Sequence, residues 1–273
     1  MRGICGRVHS SPPPPPVTAA RASSQIVSLS IAQIRIHGWA RCLVGGGTMY
    51  LSIPAFIVLN LSIVVLLFQW LLGPLFSLPA VHWRDHVFMD RGRIANLLWL
   101  DRLNCQFCGY ANGLCTMLNR QLDALAAVNQ PVSGWRWALA SLAALVSLPL
   151  WVLFDLYTIR GLYGLVISRC LRMSRLSLGE GAAILRTENY GGQLPSPARM
   201  MLRAWKNSAL SLSVLLEQIE SAWCPLRHFE TRQGIVYPAH HANFFGAHQI
   251  EQLREARNHL FANQGTAYKR PRG

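Results

Sequence analysis

The sequence predicts an all-α, helical integral membrane protein with one to two transmembrane helices and amphipathic helices outside the bilayer. Three observations lead to this fold class: 51% of the 273 residues are hydrophobic and only 14% are charged, two long runs are almost purely apolar, and segments with helical spacing flank those runs. About a quarter of the residues in an ordinary soluble domain are charged. The composition therefore favours a membrane protein.

Residues 1–48 lack the features of a folded domain or of a signal peptide. Five consecutive prolines, residues 12–16, stand where a signal peptide has its apolar core of about 7–15 residues. Gly45, Gly46 and Gly47 lie just before Met49, where glycine codons would resemble a ribosome-binding site. We expect residues 1–48 to be a disordered extension or an untranslated segment, with translation starting at Met49.

Two apolar runs define the predicted membrane segments. Residues 49–72 carry no charge and exceed the ~20 residues that cross a hydrocarbon core of ~30 Å, so they predict transmembrane helix 1. Residues 137–168 predict a second membrane segment, which Pro149 and Asp155 interrupt. These interruptions leave two topologies open, a full second crossing and a re-entrant hairpin.

Amphipathic helices are predicted around the second segment. Residues 73–136 form a helical loop, in which Asn112-Gly113 indicates a turn between two helices. Residues 169–273 form a C-terminal helical region, in which Ser196 followed by Pro197 is a favourable helix start. Apolar residues then recur at spacings of three and four, until Pro225 ends the pattern.

Cysteines and a histidine in two distant segments fit a metal site. Cys105 and Cys108 form a CxxC pair, and Cys224 and His228 lie four residues apart in "WCPLRH". Both spacings let two side chains reach one ion. Three thiolates and one imidazole are the ligands of a closed structural zinc site, although iron or an iron-sulfur centre is also compatible.

The topology decides whether these two pairs can meet. Cys105 and Cys108 precede the second apolar run, whereas Cys224 and His228 follow it. If that run crosses a membrane once, the two pairs face opposite sides. A hairpin in residues 137–168 would bring them to the same side.

Two motifs resemble those of an uncharacterised family of bacterial integral-membrane proteins. They are "NCQFCGYANG", residues 104–113, and "WCPLRH", residues 223–228, which match the family's Asn-Cys-x-aromatic-Cys-x-Tyr-Ala-Asn-Gly and Trp-Cys-Pro-x-x-His. The resemblance implies that the shared pattern includes Cys105, Cys108, Cys224 and His228. It implies a bacterial inner membrane location and supplies no activity.

The site favours a non-enzymatic binding or assembly component at the membrane, because four protein ligands leave no open position for a substrate. A membrane-bound iron oxidoreductase is one alternative, with His82, His86, His240 and His241 as additional ligands. A thiol-disulfide redox protein that uses Cys105 and Cys108 is another.

The charge pattern indicates the expected partners. The net charge of +14 is spread along the chain and does not form a basic patch with aromatic residues, so it favours anionic lipid head groups over nucleic acid. The sequence contains no Walker motif, GxGxxG, GxSxG or HExxH, so nothing indicates nucleotide binding or hydrolase chemistry. The expected partners are the lipid bilayer and an unidentified membrane protein.

Overall fold

The computed structural model describes residues 29–87, 89, 97–170 and 189–223. Within these ranges the chain is mostly helical and contains no strand, which confirms the predicted all-α class. The main helices are α1 (Leu29–His37), α2 (Trp39–Phe76), α3 (Trp99–Ala126), α4 (Trp135–Ile167) and α5 (Ser196–Trp223).

α2 is longer than the predicted helix of residues 49–72. It begins at Trp39, after Gly38 turns the chain with a φ of 83°, and it ends where Ser77 adopts a left-handed φ of 53°. Its section Leu59–Leu72 is wound more widely than an α-helix. With a mean hydropathy of 2.5 over its most apolar window, α2 is long and apolar enough to cross a membrane.

Residues 29–48 form α1 and the start of α2 and are thus not the disordered extension that was one of the two expectations. Ser30 donates hydrogen bonds from its backbone N–H (3.0 Å) and its hydroxyl (2.5 Å) to Oδ1 of Asp101, a buried carboxylate at the start of α3. Residues 1–28 lie outside the described part of the chain. A translation start at Met49 stays a prediction.

α3 is one continuous helix, so the turn predicted at Asn112-Gly113 was wrong. Asn112 fits inside the helix because its side-chain amide donates a 3.0 Å hydrogen bond to the carbonyl oxygen of Cys108. Gly113 has a packing role: a Cβ there would lie 2.6 Å from the carbonyl oxygen of His86 and 2.6 Å from Cα of Val87. The segment that follows α2 therefore crosses α3 directly at Gly113.

α4 has no break at Pro149 or Asp155, the two residues that suggested a re-entrant hairpin. The helix runs over Trp135–Ile167 and continues through Ser168–Cys170. With a mean hydropathy of 2.0 it is the second helix that is long and apolar enough to cross a membrane. Asp155 is accommodated because Arg160 pairs with its carboxylate.

α5 begins at Ser196, as predicted from the Ser-Pro pair. The apolar period predicted along it faces the protein interior, with Trp205, Ser208, Leu212, Leu215 and Ile219 all buried. Trp223 is its last described residue, so the predicted stop at Pro225 lies outside the described residues.

α2 and α3 run in the same direction. Tyr50, early in α2, donates a hydrogen bond to Asn104, early in α3, whereas Val64, further along α2, accepts one from Gln121, further along α3. We name the two ends of the bundle after the ends of α2. The Trp39 end holds the start of α3, and the Phe76 end holds its last turn.

α4 and α5 run in the opposite direction. Residues 140–147 of α4 lie beside residues 67–76 of α2, and residues 150–157 lie beside residues 54–63. The start of α5 also lies at the Phe76 end, where the hydroxyl of Tyr190 bonds to Asp123. α2 and α4 thus each finish at the end of the bundle opposite to the start of the next main helix.

The core lies between these four helices and contains an aromatic cluster in its Trp39 half. The ring of Phe56 in α2 makes edge contacts with Phe107 in α3 and with Phe154 and Tyr163 in α4, at centroid distances of 5.5, 5.9 and 6.2 Å. Phe56 is fully buried. Phe56 of α2 therefore packs against both α3 and α4.

The surface of the bundle is divided into an apolar and a polar side. α2 and α4 expose large apolar side chains along their lengths, among them Leu61, Leu66, Leu142, Leu145 and Val146. α3 instead exposes Arg102, Gln106, Thr116 and Arg120. Among the described residues, α2 and α4 thus carry most of the exposed large apolar side chains, to which α3 adds Trp99 and Leu103.

Candidate metal centre

Cys105 and Cys108 lie on one face of α3 near the Trp39 end. Cys105 is buried and Cys108 is half-buried. Side chains three positions apart in a helix are neighbours, with Cβ atoms about 5–6 Å apart. The two cysteines are therefore neighbours on one helical face.

The same face of α3 contacts α5. Cys115 follows Cys108 by seven residues, or about two helical turns. Its Sγ donates a hydrogen bond of 3.3 Å to the carbonyl oxygen of Ala209 and lies 3.1 Å from the hydroxyl of Ser213. Cys108 itself lies near Tyr50 of α2 and Tyr163 of α4, so toward the Trp39 end this face of α3 also meets α2 and α4.

α3 and α5 are antiparallel. Lys206, early in α5, lies 2.8 Å from Asp123, late in α3. Ser213, further along α5, contacts Cys115, further back in α3. Moving toward the end of α5 therefore means moving toward the start of α3.

This register brings the end of α5 level with the cysteine pair. Cys105 precedes Cys115 by ten residues, and Trp223 follows Ser213 by ten residues. Ten residues span about 15 Å of α-helix. Measured from the contact between Cys115 and Ser213, the two helices reach Cys105 and Trp223 at the same height.

The other predicted ligands lie outside the described residues: Cys224, His228, His240 and His241. Among the residues that the structure describes, no group of three or more His, Cys, Asp or Glu side chains could hold a metal ion. The site of three cysteines and one histidine stays a prediction, of which the structure describes the α3 half.

His82 and His86 lie in the segment that follows α2. His82 is exposed, whereas His86 is half-buried. Burial lowers the pKa of His86; the negative charge of Asp85 opposes this shift, and the positive charge of Arg120 adds to it. Within the described ranges, these histidines form no metal-binding group with Cys105 and Cys108.

A full-length α4 does not conflict with a shared site. If the second apolar run crosses the membrane once, the sequence predicts that the two ligand pairs lie on opposite sides. That prediction assumes that this run is the only segment between Cys105 and Cys224 that spans the bundle. In the structure, α3 itself runs the length of the bundle before α4 returns, and α5 then starts again at the Phe76 end. The start of α3 and the end of α5 therefore lie at the same end of the bundle.

A polar seam between α3 and α5, which the sequence analysis missed, continues the cysteine face. Nζ of Lys206 lies 2.9 Å from Oδ1 of Asn119 and 2.8 Å from Oδ1 of Asp123. The hydroxyl of Tyr190 also donates to Asp123, at 2.8 Å. Burial raises the pKa of Tyr190, and the charge of Asp123 raises it further. Asn119 and Asp123 follow Cys115 by four and eight residues, a spacing that puts all three on one side of a helix. This spacing could have predicted the polar seam.

A second polar cluster, also missed, joins α4 to α5. Asp155 is buried and accepts hydrogen bonds of 2.6 Å from the hydroxyl of Ser208 and 2.6 Å from Nε of Arg160. The indole N–H of Trp151 donates to the same Ser208 oxygen at 3.0 Å. A lone acidic residue in an apolar helix requires such partners, because burial of an unpaired carboxylate is costly. The position of Asp155 as the only acidic residue in an apolar run could therefore have predicted that it has polar partners.

Comparison of the chain with protein-family profiles, with curated proteins and with solved structures found no match.

Proposed function

We propose that this protein is a helical bundle inserted in the bacterial inner membrane, where it serves as a non-enzymatic component that binds or assembles with a membrane protein. In this proposal Cys105, Cys108, Cys224 and His228 bind one zinc ion. The ion ties the start of α3 to the chain that leaves α5.

The exposed surface of α2 and α4 supports the placement in a membrane. A core helix of a soluble protein is mostly buried, whereas only 33% and 28% of the most apolar windows of α2 and α4 are buried. Apolar surface of this extent on a monomer marks contact with lipid or with another protein.

The exposed tryptophans support the same placement. Trp39 and Trp99 lie at the Trp39 end, and Trp70 and Trp135 lie toward the Phe76 end, with exposed fractions of 70%, 75%, 73% and 67%. Tryptophan is enriched at both membrane–water interfaces. Trp70 follows Trp39 by 31 residues, which would span about 46 Å of regular α-helix and somewhat less here because Leu59–Leu72 is wound more widely. This length is close to the ~40–45 Å of a bilayer with its head-group regions.

The antiparallel register of α3 and α5 is the observation that carries the metal site. Cys224 directly follows Trp223, which is level with Cys105, and it stands eleven residues after Ser213, close to three turns of about 3.6 residues. The sequence therefore continues from a point level with Cys105 directly into the predicted ligand pair. His228 follows four residues later.

A site with four protein ligands supports a structural role for the metal. Catalytic zinc keeps one coordination position open, whereas structural zinc is closed by four Cys or His ligands. Such a site contributes directly to folding, because the ligands come together only in the folded chain.

Elemental analysis of the full-length chain, purified anaerobically in detergent, tests the site. We expect about one zinc per chain, as in a closed structural site, and loss of that zinc in Cys108→Ser. Cys170→Ser is the matched control, because Cys170 is also half-buried but lies on α4. It should keep its zinc.

The outcomes separate the proposal from its alternatives. Zinc retained in Cys108→Ser, or no metal in the wild-type chain, would contradict the site. Iron with visible absorption that changes on reduction would favour an oxidoreductase, and an oxidised pair that dithiothreitol reduces would favour thiol-disulfide exchange. The helical circular dichroism of each variant shows whether zinc was lost with the ligand or with the fold.

A further inference from the structure

A groove of about 280 Å³ lies between α2 and α4 on the apolar side of the bundle. Its inner wall consists of buried side chains, Leu59, Ile63, Phe154 and Trp205. For comparison, a cavity of about 150 Å³ lined by Leu, Ile and Phe binds a benzene molecule. The groove therefore has room for an apolar group larger than one ring.

The groove opens onto the exposed apolar surface. Three of its lining residues are also exposed there, Val58, Leu153 and Tyr157, with exposed fractions of 41%, 55% and 41%. These residues belong to the two helices that are long and apolar enough to cross a membrane. The mouth of the groove thus continues the surface that would face lipid.

The lining is apolar except for the hydroxyl of Tyr157 and the indole Nε1 of Trp205, which is buried and has no hydrogen-bond partner. The hydroxyl of Tyr157 already donates to the carbonyl oxygen of Leu51 at 3.2 Å, and the α2 wall carries only apolar side chains such as Pro54 and Ala55. An empty groove forfeits the dispersion contacts that a chain lying in it would make.

We infer that this groove holds one acyl chain of a bilayer phospholipid. The inference rests on the proposed membrane placement and is independent of the zinc site. Residues 54–63 straddle the middle of α2 (Trp39–Phe76), so the chain reaches the groove close to the bilayer centre. Shape and dispersion contacts hold the chain there, since the surrounding lipid is as apolar as the groove.

Photolabelling of the full-length chain tests this inference. The probe is a phosphatidylcholine with a diazirine in the middle of one acyl chain, present as a minor component of phosphatidylcholine vesicles that contain the protein. After irradiation, peptide mass spectrometry should find several-fold more label on Val58, Leu153 and Tyr157 than on Leu142 and Leu145, which are equally exposed on α4 but outside the groove.

Two variants sharpen the test. Ala55→Phe fills the groove and should remove the excess label, whereas Leu61→Phe, at an exposed α2 position outside the groove, should leave it unchanged. Equal label at groove and control positions of the wild-type chain would overturn the inference even if Ala55→Phe does not fold. Excess label that persists in a folded Ala55→Phe would also overturn it. Failure of the protein to remain with the vesicles on flotation would instead overturn the membrane placement.

Discussion

Gly113 lies where the segment after α2 crosses α3. Replacing it with alanine adds a single methyl group at this crossing. We expect Gly113→Ala to lower the free energy of unfolding by about 1–3 kcal/mol, the usual cost of overpacking. The added methyl would lie 2.6 Å from the carbonyl oxygen of His86 and 2.7 Å from Cγ2 of Val87. Unfolding in detergent, followed by helical circular dichroism, measures the change.

Gly47→Ala is the control, because Gly47 is a helical glycine with no atom within 4 Å of its added Cβ. There the loss of backbone entropy in the unfolded chain should stabilise the helix by about 0.5–1 kcal/mol. If Gly113→Ala behaves as Gly47→Ala does, the segment at His86 and Val87 does not press on α3.

Single residues also show why part of the site could not be predicted. The CxxC spacing identified Cys105 and Cys108, but nothing local indicates that they lie inside a long helix. Asn112-Gly113 is a strong turn signal, which the hydrogen bond from Asn112 to Cys108 and the close approach of His86 override. These contacts become visible only once the helices are packed together.

At the scale of elements, long apolar runs are the most predictable feature, because hydropathy is a local property of the sequence. These runs correctly predicted the existence of α2 and α4. They did not predict where α2 begins, because the helix starts ten residues before Met49. The period of three and four also gave α5 and its buried face. Directions and contacts between elements were beyond reach, because they depend on pairs such as Lys206 with Asp123, which lie far apart in the sequence.

The contact between α4 and α5 depends on Asp155. We expect Asp155→Ala to lower the free energy of unfolding by about 1–3 kcal/mol, because the buried hydroxyl of Ser208 loses its acceptor. Asp155→Asn should cost less, since the amide oxygen still accepts from Ser208. Denaturation of both variants in detergent gives the comparison.

Arg160→Gln separates the ion pair from the hydrogen bond. The side chain of Arg160 is 51% exposed but that of Asp155 only 4%, so solvent screens the pair only in part and the variant should lose about 1 kcal/mol. A loss in Arg160→Gln as large as that in Asp155→Ala would mean that the ion pair within α4, and not the bond from Ser208 of α5, accounts for the stabilisation by Asp155.

At the scale of the whole molecule, the bundle fixes which connections share an end. The loop between α3 and α4 lies at the Phe76 end, and so does the start of α5, because Tyr190 bonds to Asp123 in the last turn of α3. The last residue described after α4, Cys170, lies at the Trp39 end. If α2 and α4 cross a membrane, these positions divide between its two sides.

Short epitope tags inserted singly into the full-length chain test this arrangement in cells. Tags after Gln130 and after Gly192 should react with antibody on the same side of the membrane, and a tag after Cys170 should react on the other side. Comparison of intact with permeabilised spheroplasts assigns each side. A tag after Cys170 on the same side as the tag after Gln130 would mean that α4 does not cross. Opposite sides for Gln130 and Gly192 would place the end of α3 and the start of α5 on different sides of the membrane. The start of α3 and the end of α5, which hold the two halves of the proposed zinc site, would then also be separated.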